Sequence, residues 1–144
     1  MGQKILVVDD ERVIRDILHD VLVNEGYEVI LASNGEEAVK LAKRENPQAI
    51  LLDIKMPGVN GIEACKRLKA DEKTSSIPVV MISAHGEHKR EAIDAGAEDF
   101  LTKPFSMVEI FTRVRSILRV GNLSDELKKA LEHLEELEKD LPKD

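Results

Sequence analysis

Asp9, Asp10, Asp53, Ser83 and Lys103 are the residues whose types and settings suit chemistry, because each stands at or just past the end of a short apolar run. Three carboxylates brought close together repel one another, which raises a pKa or destabilises the fold unless a cation sits among them. A hard divalent ion such as Mg²⁺ answers this: it prefers oxygen ligands and commonly takes one or two carboxylates plus a phosphate. No His or Cys cluster accompanies them, which argues against zinc. Lys103 adds a compact positive charge and Ser83 a hydroxyl donor, a pair suited to holding the oxygens of a phosphoryl group. Taken singly, Asp10 and Ser83 could be helix caps, and Lys103 an ordinary surface lysine. Asp53 resists that explanation, since it ends an apolar strand and runs into a Pro57-Gly58 loop instead of a helix start.

For these residues to meet, the chain must bring several strand ends to one edge. Apolar runs rich in β-branched residues predict strands at 4–8, 27–32, 49–53, 78–82 and 99–102. Three of them are almost continuously hydrophobic, the pattern of strands buried on both faces of a parallel sheet. Segments of helical period alternate with them, at 12–25, 36–45, 61–70, 87–95 and 107–119. The first carries a wide stripe of Val13, Ile14, Ile17, Leu18, Val21 and Leu22 expected to face the sheet. The fourth offers mostly Ala, with Ile93 its one large apolar residue, so it should be weakly held. Ser106 and Glu109 form a capping-box pattern at the start of the fifth. The expected architecture is a doubly wound α/β fold, whose ligands bind at the carboxyl ends of the strands.

Composition sets outer limits. The 144 residues are 42% hydrophobic and 34% charged, with 3% aromatics and no Trp, which suits one globular domain with an aliphatic core. The longest apolar runs are too short to span a bilayer, and a cytoplasmic location with no membrane attachment is expected. The single cysteine, Cys65, is read as a packed thiol. A net charge of −7 gives no general attraction to nucleic acid.

The motifs Asp9-Asp10-Glu11, Asp53 through Gly61, Ser83-Ala84 and Phe100-Leu101-Thr102-Lys103-Pro104 together resemble the receiver domains of two-component response regulators, over residues 4–119. The resemblance implies a flavodoxin-like five-stranded parallel sheet of strand order 2-1-3-4-5. It makes Asp53 the phosphoacceptor in a phosphorelay, with Ser83 and Lys103 on the phosphoryl oxygens. Mg²⁺, or Mn²⁺ in its place, would be held by Asp9, Asp10, Asp53 and the backbone carbonyl of Lys55. Ser83 and Phe100 would be the switch pair, Lys55 and His85 the residues that tune the lifetime of the phosphorylated state, and Pro104 a cis-proline. Such a chain is no enzyme with an external substrate; it catalyses its own phosphorylation and slow dephosphorylation. Its implied partners are a sensor histidine kinase or phosphotransfer protein and a downstream protein, reached through the surface of the fourth helix, fifth strand and fifth helix. A nucleotide-binding module would want a Gly-rich loop where Asp9-Asp10-Glu11 stands. A haloacid-dehalogenase-type phosphatase would want Asp-x-Asp on the first strand.

Residues 1–119 are thus expected to be the receiver and 120–144 a separate appendage. Gly121-Asn122 should break the fifth helix, Ser124 cap a new one over 123–141, and Pro142 follow it. Leu123, Leu127, Ala130, Leu134, Leu137 and Leu141 alternate spacings of four and three, a heptad seam suited to a homodimer or to packing on a partner or a receiver face. The tail is acidic, so direct DNA contact through it is not expected. An alternative is that this is the N-terminal receiver piece of a longer regulator or hybrid kinase whose effector lies beyond residue 144.

Overall fold

The computed structural model describes residues 3–84 and 86–139. Five strands, β1 (Lys4–Val8), β2 (Glu28–Ala32), β3 (Ala49–Asp53), β4 (Val79–Ala84) and β5 (Asp99–Lys103), form one parallel sheet of order β2-β1-β3-β4-β5. The helices α1 (Arg12–Asn24), α2 (Gly35–Glu45), α3 (Gly61–Ala70), α4 (Lys89–Asp94) and α5 (Met107–Lys139) alternate with them.

Alternating residues of each buried strand feed two separate cores. On one face Leu6, Val8, Ile50, Leu52, Val79 and Met81 pack under Ala38, Ala42, Ala64, Cys65, Leu68 and Ala92 of α2, α3 and α4. On the other, Ile5, Val7, Leu51, Val80, Ile82 and Leu101 meet Leu18 and Leu22 of α1 and Ile110, Val114, Ile117 and Leu118 of α5. Both faces of the central strands are therefore dry, as their unbroken hydrophobicity requires.

Local chemistry fixes the helix starts. The Asn34 side chain accepts from the Glu37 N–H at 2.9 Å, and Asn60 accepts from Glu63 N–H at 3.0 Å. Ser106 and Glu109 form the expected reciprocal box, Glu109 N–H donating to Ser106 Oγ at 3.2 Å and Ser106 N–H to Glu109 Oε1 at 3.3 Å.

Three expectations are corrected. The α1 stripe is only partly inward: Leu18 and Leu22 are buried, whereas Val13 and Ile17 are 68% and 51% exposed. Helix α4 is shorter than its apolar pattern, because Glu87 and His88 lie in a turn and His88 takes a left-handed φ of 64°. It buries Ala92 alone and turns Ile93 to solvent. Finally, Gly121-Asn122 does not break α5, which runs unbroken from Met107 to Lys139, so there is no second helix start for Ser124 to cap and no structural break at 119–120. A glycine inside a helix costs only about 1 kcal/mol, and the strong helix formers that follow outweigh it. Leu141 and Pro142 lie outside the described residues.

Candidate functional site

Sheet register assembles the site. Val8 pairs with Leu52, so Asp9 and Asp53 emerge level with one another. Asp53 pairs with Ile82, which puts Ser83 one step further on, and Ala84 pairs with Lys103. β4 and β5 each run past their expected ends, so Ser83 and Lys103 sit on ordered sheet instead of loops.

Asp9, Asp10 and Asp53 each offer a carboxylate oxygen within 4.8 Å of the others. Asp9 is buried and tightly held: its Oδ1 accepts from the Glu11 N–H at 3.0 Å, and its carbonyl accepts from Arg15 at 2.7 Å. Asp10 is exposed and lines a cleft of about 560 Å³ with Lys55, Met56, Pro57 and His88. Lys103 Nζ donates to Asp9 Oδ2 at 3.1 Å and lies 3.5 Å from Asp53 Oδ1, so one ammonium serves both buried carboxylates.

Burial pushes the Asp53 carboxyl up to about 6, with the charges of Asp9 and Asp10 adding to it and Lys103 opposing. For Lys103, burial lowers the pKa, but the charge of Asp53 and the hydrogen bond and charge of Asp9 outweigh it and hold the ammonium above the usual lysine value. One cation among three carboxylates leaves the pocket anionic. An all-oxygen donor set with uncompensated negative charge fits a hard divalent cation, with Asp9, Asp10 and Asp53 able to hold it.

The Ser83 hydroxyl is buried and donates to the Glu87 carbonyl at 2.6 Å, tying the end of β4 to the turn before α4. Phe100 is half-buried against the core on the α4 side and pairs with Met81 across the sheet. Lys55 reaches across the site mouth to Glu87, with Nζ to Oε2 at 3.3 Å. Gly61 closes the loop after Asp53: its N–H donates to the Ile54 carbonyl at 2.8 Å, and a Cβ there would run into the Asp53 carbonyl oxygen. The Lys103–Pro104 peptide is cis, as expected. His85 lies outside the described residues.

The structure thus brings Asp9, Asp10, Asp53 and Lys103 into one cluster, with Lys55 beside Asp10 in the neighbouring cleft and Ser83 and Phe100 on the adjoining strands. Sequence reasoning missed Arg15, which braces Asp9, and Glu87, which meets both Ser83 and Lys55. Both act through backbone atoms or loop closure, which leave no periodic signal.

The chain belongs to the response regulator receiver domain family, whose model matches residues 5–115. It is 44% identical over 126 residues to the alkaline phosphatase synthesis transcriptional regulatory protein PhoP of Bacillus subtilis, covering 86% of this chain and 52% of that protein. It is 45% identical over 130 residues to the response regulator PleD of Caulobacter vibrioides, covering 89% of this chain and 29% of that one. The chain spans about half the length of most of the curated relatives it matches. Among solved structures, the receiver domain of the sensor histidine kinase PA1611 from Pseudomonas aeruginosa, with a magnesium ion coordinated in its active site cleft, is 30% identical with a TM-score of 0.78, covering 82% of this chain and 98% of that one. The chemotaxis protein CheY4 of Vibrio cholerae is 29% identical with a TM-score of 0.76, covering 81% and 99%. The chain therefore carries a receiver domain of two-component signalling. No helix among the described residues is long and apolar enough to cross a membrane.

Proposed function

We propose that Asp53 is the phosphoacceptor of this receiver, taking a phosphoryl group from a sensor histidine kinase or phosphotransfer protein and catalysing the transfer and its slow reversal by hydrolysis with its own pocket. The observation that carries this is Asp53 itself: a buried carboxylate at a strand end, pushed up to about 6, with Lys103 at 3.5 Å and two further carboxylates beside it. A group under that electrostatic stress is a functional candidate, because a fold has no structural reason to bury it there.

An Asp53 oxygen attacks the phosphorus of a phosphohistidine in line; the O–P bond forms as the N–P bond breaks, and the imidazole leaves and takes a proton. Lys103 neutralises charge on the phosphoryl oxygens, and the Ser83 hydroxyl donates to one of them. Mg²⁺, or Mn²⁺, held by Asp9, Asp10, Asp53 and the Lys55 carbonyl, would supply the positive charge that lets an anionic donor approach. Lys55 and His85 would set the lifetime of the product, Lys55 through its bridge to Glu87.

Ser83 has one hydroxyl proton. When it turns to a phosphoryl oxygen, its bond to the Glu87 carbonyl is lost, and Phe100 moves into the space that opens toward β4. The α4–β5–α5 surface changes as a result, and a downstream protein reads it. Exposed Ile17 lines an apolar cleft with Ile14, Pro104 and Phe105 that opens onto Lys103, which supports docking of the donor on that side.

Acetyl phosphate with Mg²⁺ tests the reading. Intact mass should rise by one phosphoryl unit, and Asp53→Asn or removal of the metal by a chelator should abolish the gain; stoichiometric labelling of Asp53→Asn would overturn it. A second reading, that the receiver works as part of a longer regulator with an effector beyond residue 144, is favoured by the length of the relatives. Measuring the mass of the native protein in its cell of origin decides it.

A further inference from the structure

The distal part of α5 leaves the receiver body. From Glu126 to Lys139 every residue of the helix is exposed, and so is Leu123 before them. Leu123, Leu127, Leu131, Leu134 and Leu137 are 57%, 62%, 52%, 54% and 49% exposed. Five leucines on one helix, none covered by its own fold, form an unfavourable surface in water.

We propose that a second copy of this chain covers this face, the two helices forming a short parallel coiled coil. The seam itself specifies a helix as occupant. Leu127, Leu134 and Leu141 recur every seven residues, as do Leu123, Ala130 and Leu137, and a strict 3.5-residue repeat stays in contact only with a helix of the same period. Asp140 and Leu141, beyond the described residues, enter through their place in the sequence alone.

The flanking positions select this chain as its own partner and fix the orientation. In a parallel pair, Glu126 faces Leu131 of the other copy, laying its methylenes over that leucine, and His133 faces Glu138, a hydrogen-bonded pair made twice by symmetry. No like charges meet across the seam. In the antiparallel pair that overlaps the same leucines, Glu126 instead faces Asp140, twice, and His133 faces His133. The acidic residues Glu132, Glu135 and Glu136 fall on the outer face, where the net negative charge of the tail does not oppose association. Ala130 makes one small layer, and Leu131 beside it supplies the bulk that layer lacks.

Fewer than three heptads are short for an autonomous coil, so the dimer is reversible, forming in the micromolar range or above. Sedimentation equilibrium of the full chain from micromolar to hundreds of micromolar should show a monomer–dimer equilibrium. Leu134→Asp enters the seam twice and should weaken it by about a hundredfold or more. Under mild oxidation, Leu134→Cys chains should cross-link to one another far faster than Glu136→Cys chains.

A monomer throughout, with and without beryllofluoride, overturns the proposal and leaves the seam to a foreign helix. A dimer indifferent to Leu134→Asp overturns it by placing the interface elsewhere. A monomer whose melting temperature falls on Leu134→Asp overturns it in favour of packing against its own receiver. Faster cross-linking in a mixture of Ala130→Cys and Leu134→Cys chains than in Leu134→Cys alone overturns the parallel orientation.

Discussion

Asp53 is held under electrostatic stress, and its proton equilibrium makes that measurable. A carboxyl raised from 3.8 to about 6 keeps its proton longer when folded than when unfolded, so the stability tied to that proton is fully present below about pH 4 and is lost as pH rises through 6. Without metal, Asp53→Asn should therefore be more stable than the parent at pH 7. Linkage gives at most about 3 kcal/mol, and solvent screening reduces it to about 1–2 kcal/mol. Urea titrations in chelator should show this advantage shrinking toward zero by pH 4; an advantage that persisted in acid would assign it to something other than ionisation. Gly61 is tested in the opposite direction. With a Cβ stopped by the Asp53 carbonyl and the Ile54 Cα 2.8 Å away, Gly61→Ala should cost about 1–3 kcal/mol in a urea melt and slow labelling by acetyl phosphate. The clustering of Asp53, its two acidic neighbours and Lys103, with Ser83 on the adjoining strand, was legible in the sequence, because each breaks an apolar run at a strand end. Arg15 and Glu87 were not, because what they touch, a backbone carbonyl and a side chain across a loop, depends on how the loops close.

At the scale of elements, α4 is the weakest piece of the body. It buries one alanine, leaves Ile93 in water, and begins at a residue in the left-handed region. Amide exchange should be faster in α4 than in α1, α2 or α3. Binding of beryllofluoride should change protection first across residues 83–105, because the Ser83 bond to Glu87 is the tie nearest the pocket. A change confined to α1 would rule that coupling out. The strands and the cap of α5 could be read from sequence, since unbroken hydrophobicity and a Ser start signal are local chemistry. The outward side of α1 could not: an apolar stripe records which face avoids water but not how wide the sheet beneath it is, and Val13 and Ile17 are left in solvent. The continuity of α5 was also hidden, because Gly121-Asn122 is a strong stop signal by type and the outcome rests on the residues around it. There, a Cβ at Gly121 would only touch the Pro78 ring at 3.5 Å, so the position is not one that demands glycine for space.

For the whole molecule, the unbroken α5 means that the body and the distal helix share one axis, with no hinge between them. In a Leu134→Asp background, spin labels on Lys73 and Glu136 should give a single narrow distance distribution, and Asn122→Gly beside Gly121 should broaden it; equal breadth in both would show that the helix already bends there. The continuous axis has a mechanical consequence. Ile110, Val114, Ile117 and Leu118 seat the base of α5 on the sheet next to the strand that carries Lys103, and about 30 Å of helix extends from that seat to Lys139. A rocking of the base by about 10° would sweep the far end through about 5 Å, so the helix acts as a lever arm that magnifies an atomic-scale event at the pocket into a displacement large enough to open or close a gap between two molecules.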